Sequence, residues 1–195
     1  LQRRFGLLTD ADLAAGRRAL LFVAIAWLPV LLLATVQGYA LNEHHERAVL
    51  FDFSAYAYAI AIFAFVLMEQ ASEERMARLI SQFIAQGIIP ETSRERFVQV
   101  RQRMERRTGS WVVEAIILIG AYVVAYASLE RAAARIDGGT WFGLVVDGSV
   151  QLTFAGWWTL LIALPLFWFL LGRWLWRFVT WGLLLRDVAR CDLKL

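Results

Sequence analysis

Two acidic residues, Glu69 and Glu114, stand at the ends of long apolar runs, where a carboxylate can bind a proton or a cation. Glu114 lies about one helical turn inside the run that begins at Trp111, and a carboxylate at membrane depth is costly and usually faces protein or water. On neighbouring helices the two acids would lie at similar depth and could form an acidic ring in an oligomer. The alternative interpretations are an interfacial ion pair between Glu114 and Arg106 or Arg107, and a solvated helix junction at Glu69.

Asp52 and Tyr56 begin the second apolar run and fall on one helical face. One interpretation is an acidic mouth that gathers cations above a pore. The other is an acid at a helix N-terminus, which the helix macrodipole stabilises. The Tyr56 ring can line a wet cavity, or it can pack in the protein while its hydroxyl group bonds a neighbouring helix. With Glu69 and Glu114, these two residues form the set of candidate pathway residues.

Basic and aromatic side chains alternate directly after the last apolar run, at Arg173, Trp174, Trp176 and Arg177. Side chains of these two kinds bind together at the level of lipid headgroups, so these four residues are predicted to contact lipid. A second arginine-rich run, 94–107, either binds anionic headgroups or forms the solvated face of a helix.

No residue pattern predicts an enzyme, a metal site or a cofactor. His44 and His45, with Glu43 and Glu46, could form a weak metal or pH-sensing site, but adjacent histidines do not share a helix face and no third ligand has a defining spacing. A solvated loop is the alternative. The single cysteine, Cys191, excludes an internal disulfide and a cysteine-cluster metal site. Phosphate-binding loops, a dinucleotide-type glycine cluster, a zinc-binding His-Glu-x-x-His helix and a nucleophile elbow are absent from the sequence.

The elements that must position these residues are long apolar helices. The chain is 59% hydrophobic, with a mean hydropathy of +0.54, whereas soluble domains are roughly half apolar. Four runs are long enough to cross a bilayer. We therefore predict an all-α fold, a polytopic membrane helix bundle with four transmembrane helices, at about 19–40, 49–68, 111–129 and 152–171. Pro29 lies inside the first helix and should free a carbonyl group, which a neighbouring helix can satisfy.

Residues 69–110 differ from the apolar runs because their hydrophobic residues recur with helical spacing, as in Met76, Leu79 and Phe83. Gly87 and Pro90 interrupt the pattern, which predicts a cytoplasmic amphipathic helical hairpin. The short apolar stretch 141–146 cannot span a membrane and is predicted to be interfacial or re-entrant. The predicted divisions are 1–68 with the first two spans, 69–110 with the hairpin, 111–171 with the last two spans, and 172–195 with an interfacial or cytoplasmic helix.

The distribution of arginine predicts the orientation. Basic residues concentrate before the first span, in 69–110 and after residue 171, and they are sparse in the other two connections. The positive-inside rule then places both ends and the hairpin in the cytoplasm, in a bacterial inner membrane. The charged residues lie between the apolar runs, where they reflect the membrane topology of the chain. We therefore predict no nucleic-acid partner. Because the chain starts at Leu1 without a methionine and stops at Leu195 in a helix-like pattern, we expect it to be part of a longer protein.

Two hypotheses for function follow. The first is a channel or transporter subunit for ions or small solutes, which acts as a homo-oligomer because four spans rarely enclose a pathway alone. The second is a non-transporting scaffold or sensor whose cytoplasmic hairpin binds a protein partner or anionic lipid. An intramembrane enzyme is disfavoured, since no nucleophile and base occur at compatible depths.

Overall fold

The computed structural model describes residues 10–41, 48–85, 102, 109–133, 140–146 and 149–189. Most of this part of the chain is helical. Its long elements are α1 (Asp10–Val36), α2 (Phe53–Ala85), α3 (Trp111–Ala133) and a last helical stretch made of α4 (Phe154–Trp158), a π-helical turn (Thr159–Ala163) and α5 (Leu164–Ala189). A short 3-10 turn, Val49–Phe51, precedes α2.

In the described part of the chain, four helices are long and apolar enough to cross a membrane, which agrees with the predicted number. The qualifying segments are Ala15–Val36, Phe53–Met76, Trp111–Ser128 and Phe154–Asp187. Two of them continue further than the predicted spans. The α2 helix runs without a break to Ala85, so the first half of 69–110 extends the second long helix, whereas the predicted second arm falls almost wholly outside the described residues.

The helix α5 continues across residues 171 and 172, where we predicted the boundary between the fourth span and the tail. It ends at Ala189. An interfacial or cytoplasmic location for this tail stays a prediction, but the described tail residues belong to the same helix as the end of the fourth span.

Hydrogen bonds at the two ends of the bundle show that the helices alternate in direction. α1 packs on α2, α3 packs on α5, and α2 also contacts α5. Arg18, near the start of α1, donates to Gln70, late in α2, at 3.3 Å. At the other end, the amide of Phe154 donates to the side chain of Gln37 at 3.2 Å. One end of the bundle therefore holds the start of α1 and Gln70 of α2, and at the opposite end α1 meets α4.

The helices approach closely because small residues fill the interfaces. Ala19, Ala26 and Ala163 are buried in one apolar cluster with Ile62 and Leu170. Without side chains beyond Cβ, such residues let helix backbones come near each other, which is how helices pack when lipid supplies little hydrophobic driving force. A second cluster, nearer the α1–α4 junction, contains Val30, Ala34, Val49, Trp141 and Ala155.

The carbonyl group that Pro29 frees has a partner. Proline lacks an amide hydrogen, so the carbonyl four residues earlier, that of Ile25, loses its helical hydrogen bond. The indole Nε1 of Trp158 donates to this Ile25 oxygen at 3.0 Å. This confirms that a neighbouring element satisfies the freed group.

Pro165, in the last helical stretch, also frees a carbonyl group, and a side chain from another helix donates to it. The carbonyl four residues earlier is that of Leu161, inside the π-helical turn Thr159–Ala163. The phenolic hydroxyl of Tyr122, on α3, donates to this oxygen at 3.2 Å. The π-helical turn thus lies directly before a proline and is held by a neighbouring helix.

A β-hairpin corrects the all-α prediction, whereas an interfacial or re-entrant location of 141–146 stays a prediction. Strand β1 (Gly143–Val146) pairs antiparallel with β2 (Ser149–Leu152), and Val146 faces Ser149 in the register. A four-residue apolar run cannot be assigned by periodicity alone. The sequence nevertheless holds a hairpin signal, the Asp147-Gly148 pair between the two strands. The fourth span accordingly begins at Phe154 and not at Leu152.

Candidate functional site

A cavity of about 230 Å³ lies at the end of the bundle that carries the β-hairpin, which we call the hairpin end. Several segments that are distant in the sequence contribute to its wall. Its lining residues are Ala26, Trp27 and Val30 of α1; Asp52, Ser54, Ala55, Tyr58, Ala59 and Ile62 at the start of α2; Ser128 of α3; Thr140, Trp141 and Phe142 before the hairpin; and Thr159, Ala163 and Leu164 at the π-helical turn. Most of these side chains are apolar, and Asp52 is the one acidic residue among them.

The Asp52 carboxylate is held by three neutral donors. Its Oδ1 accepts from the Ser54 amide at 2.8 Å and from the Ser54 hydroxyl at 2.6 Å. Its Oδ2 accepts from the Trp141 indole at 2.7 Å. In the described part of the chain no basic side chain forms an ion pair with Asp52, so its charge is not balanced there.

Local sequence explains how each partner reaches Asp52. Asp52 directly precedes Phe53, the first residue of α2, and caps this helix: its Oδ1 accepts from the amide of Ser54 two residues later, as aspartate commonly does at helix starts. Trp141 is buried beside the hairpin, and its carbonyl accepts from the hydroxyl of Thr153, which in turn accepts from the amide of Gly156 at 3.0 Å. The cap of α4 and the indole on Asp52 are therefore one connected hydrogen-bond network.

Gly156 is needed for this arrangement. A Cβ atom at this position would lie 1.9 Å from the carbonyl oxygen of Phe142, far inside contact distance. The absence of a side chain lets the segment before β1 lie directly on the start of α4. The hairpin wall of the cavity consequently depends on a glycine.

Aromatic rings surround much of the cavity, but Tyr56 is not one of the lining residues. Its hydroxyl donates to the carbonyl oxygen of Leu50 at 3.0 Å, and its ring lies 5.7 Å from that of Trp27, between centroids. Tyr58 lies on the wall instead, with its ring in edge contact with Phe167 at 5.1 Å. The structure thus brings Asp52 to the cavity and gives Tyr56 a packing role beside it.

Glu69 and Glu114 lie together at the opposite end, which we call the ion-pair end. Glu69 Oε1 accepts from Arg173 Nη2 and from Arg177 Nη2, each at 2.7 Å. Glu114 Oε1 lies 4.0 Å from Arg173 Nη2. The two acids therefore lie at the same end of the bundle, and Arg173 of α5 lies between α2 and α3. Arg106 and Arg107, the partners predicted for Glu114, lie outside the described residues.

Partial burial strengthens this cluster on the Glu69 side. The side chains of Arg177 and Glu69 are 19% and 26% exposed, whereas that of Glu114 is 48% exposed. Interactions between charges weaken as water surrounds them. The Glu69 pairs are thus the stronger contacts, and Glu114 forms a loose, mostly solvent-facing edge.

The predicted lipid-binding residues have protein partners. Arg173 and Arg177 bind Glu69, and the Trp174 ring packs against Phe178 at 4.2 Å and Phe65 at 6.2 Å, between centroids. Trp176 is partly buried. Lipid contact at these positions stays a prediction, but both guanidinium groups already donate to a carboxylate.

Sequence reasoning identified Asp52 and missed the cavity. Asp52 and Trp141 are 89 positions apart, and no local pattern pairs them. Thr153 and Gly156 were also missed, although a threonine before an apolar helical run is a recognisable N-cap signal.

Within the described ranges no group of three His, Cys, Asp or Glu side chains has the geometry of a metal site. His44, His45 and Cys191 fall outside those ranges. Comparisons with protein-family models, with curated proteins and with solved structures find no match to this chain.

Proposed function

We propose that the chain is an integral membrane protein whose four long helices cross a bacterial inner membrane. Their outward faces support this, since large apolar side chains such as Leu32, Ile119 and Val123 are 57%, 65% and 62% exposed. An exposed apolar surface of this kind needs a cover in water, and lipid supplies one. The arginine distribution supports an orientation with the ion-pair end and both chain ends in the cytoplasm.

Within this membrane protein, we propose binding of a small solute in the cavity at the hairpin end, as part of a transporter. The cavity with its charged residue Asp52 is the observation that carries the proposal. The wall includes a π-helical turn before a proline, and interrupted helices commonly border binding sites in membrane transporters. At the other end, ion pairs connect α2, α3 and α5. Because these contacts hold the helices together there, the bundle suits a binding cavity that is open at one end better than a continuous pore.

A cavity-filling substitution tests this function. Ala59→Phe places a large ring in the cavity, whereas Ala71→Phe puts the same ring on an exposed position of the same helix. We expect vesicles with the wild-type protein and with A71F to take up small solutes from a labelled panel, and A59F vesicles to take up none. Uptake that A59F leaves unchanged, by protein shown to be folded, would contradict the proposal.

A sensor is the second candidate, and the length of α2 favours it. This helix lines the cavity with Ala55 and Ala59 and continues to Ala85, so the cavity and residues 69–85 share one helix. A sensor predicts that solute binding changes the surroundings of Leu79, which is 49% exposed. A spin label at Leu79→Cys whose spectrum is identical with and without bound solute would remove this candidate.

A further inference from the structure

We propose that the cavity at the hairpin end binds a small organic cation, with its ammonium group at Asp52 and a compact apolar body among Trp27, Tyr58 and Trp141. This inference rests on the proposed solute-binding function and specifies its ligand. It draws on three features of the wall: a carboxylate with no basic partner among the described residues, the aromatic rings, and the lack of a second carboxylate in the described lining.

The charge of Asp52 favours a cation. A carboxylate has about four acceptor positions, and three of those of Asp52 are used by the Ser54 amide, the Ser54 hydroxyl and the Trp141 indole. One position on Oδ2 remains for a ligand. Neutral donors orient the carboxylate without cancelling its charge, and a partly buried charge is costly unless a counter-charge balances it. An ammonium group supplies both the donor and the counter-charge, whereas an anionic solute would be repelled.

The aromatic wall favours an organic cation. Trp27, Tyr58 and Trp141 line the same cavity as Asp52. Indole and phenol faces attract ammonium groups, and the attraction grows as water is excluded. Ile62, Leu164 and several alanines complete the wall, so the remainder of the ligand meets apolar atoms.

A metal ion fits this wall less well. Ca²⁺ takes six to eight oxygen ligands, and Mg²⁺ keeps a strict octahedron. The described wall has one carboxylate, and its other side-chain oxygens are the neutral hydroxyl groups of Ser54, Tyr58, Ser128, Thr140 and Thr159. A monovalent ammonium compound needs only the one carboxylate and the rings.

The experiment compares three probes of similar shape and different charge: 2-phenylethylamine as a cation, 2-phenylethanol as its neutral analogue and 3-phenylpropionate as an anion. Binding to the purified full chain in lipid nanodiscs is measured by titration calorimetry. We expect the amine to bind at least tenfold more tightly than the alcohol, and the anion to bind most weakly. Asp52→Asn should reduce the amine to the affinity of the alcohol, and Asp52→Glu should restore part of the difference.

The outcomes separate this inference from the function on which it rests. If the wild-type protein binds the alcohol as tightly as the amine, and Ala59→Phe abolishes both, the cavity binds solutes and the cation assignment is wrong. If it binds none of the three probes, the assignment is also wrong, and the uptake panel with A59F and A71F decides the function separately. The wild-type comparison of amine with alcohol decides the assignment even if Asp52→Asn fails to fold.

Discussion

At the scale of single residues, Asp52 connects the start of α2 with the segment before the hairpin. The sequence shows that Asp52 is acidic and precedes an apolar helix. Both interpretations of Asp52, a pore mouth and a helix N-terminal acid, used only its neighbours in the sequence. The contact with Trp141 depends on the path of the chain between them and could not be read from either neighbourhood. The same holds for Glu69, whose arginine partners lie more than a hundred positions further on.

Replacing Trp141 with phenylalanine should weaken the attachment of the hairpin. The ring is kept, but Oδ2 of Asp52 loses its indole donor, and hydrogen bonds to charged groups contribute roughly 1.5–3 kcal/mol. We expect a loss in unfolding free energy within that range, measured by denaturant titration in mixed micelles. Trp157→Phe is the matched control, because the Trp157 side chain is 50% exposed, and it should cost little. Equal losses in the two variants would argue against the contact.

Glu69→Gln should destabilise the ion-pair end. The substitution removes the charge that two arginines share and leaves both guanidinium groups partly buried without it. Because these side chains are still partly solvated, we expect a loss of about 1–3 kcal/mol. Glu74→Gln, at an exposed position one turn further along α2, should change stability by less than about 0.5 kcal/mol. A thermal melt in which both variants match the wild type would count against the ion pairs.

At the scale of elements, the prolines of the first and last helices each free a carbonyl group that an aromatic side chain then binds. The sequence shows the prolines and requires some partner for each carbonyl. It does not show which partner, because Trp158 and Tyr122 lie on other elements. Hydrophobic runs predicted the existence of the long helices well, whereas the ends of α2 and α5 lie beyond the apolar runs, in stretches that mix charged and apolar residues.

A double substitution isolates the role of Trp158. In Trp158→Phe the carbonyl of Ile25 loses its donor, and we expect a cost of about 1–3 kcal/mol for a polar group left unsatisfied. In the Pro29→Ala background the alanine amide can donate to Ile25, so the same change should cost clearly less. Unfolding free energies of the four proteins form the cycle. An identical cost of Trp158→Phe in both backgrounds would refute this assignment.

Gly156→Ala should displace the hairpin. The added methyl group would collide with the carbonyl of Phe142, and the cavity wall would have to move. We expect lower stability and loss of solute binding together. Gly182→Ala is the control: this exposed helical glycine has no atom within 4 Å of its would-be Cβ, and alanine should stabilise the helix by about 0.5–1 kcal/mol. Full solute binding by G156A would contradict the packing described.

At the scale of the whole molecule, the two polar features lie at opposite ends of an apolar bundle. Ion pairs join three helices at one end, and a cavity with one carboxylate lies at the other. Composition and periodicity predicted the four long helices, because these properties accumulate along continuous segments. They did not predict the cavity, because its wall combines α1, α2, α3, the segment before the hairpin and the π-helical turn, which meet only in the folded chain.

In the proposed orientation the solute-binding cavity opens on the side of the membrane opposite the cytoplasm, and thiol labelling of intact cells tests this position. In a Cys191→Ser background, Ser54→Cys places one thiol at the cavity, and Ser81→Cys places one on the same helix toward its other end. A membrane-impermeant maleimide is applied to intact cells. We predict rapid labelling of S54C, slowed by Ala59→Phe, and labelling of S81C only after the membrane is opened. Labelling of S81C but not S54C in intact cells would contradict the account.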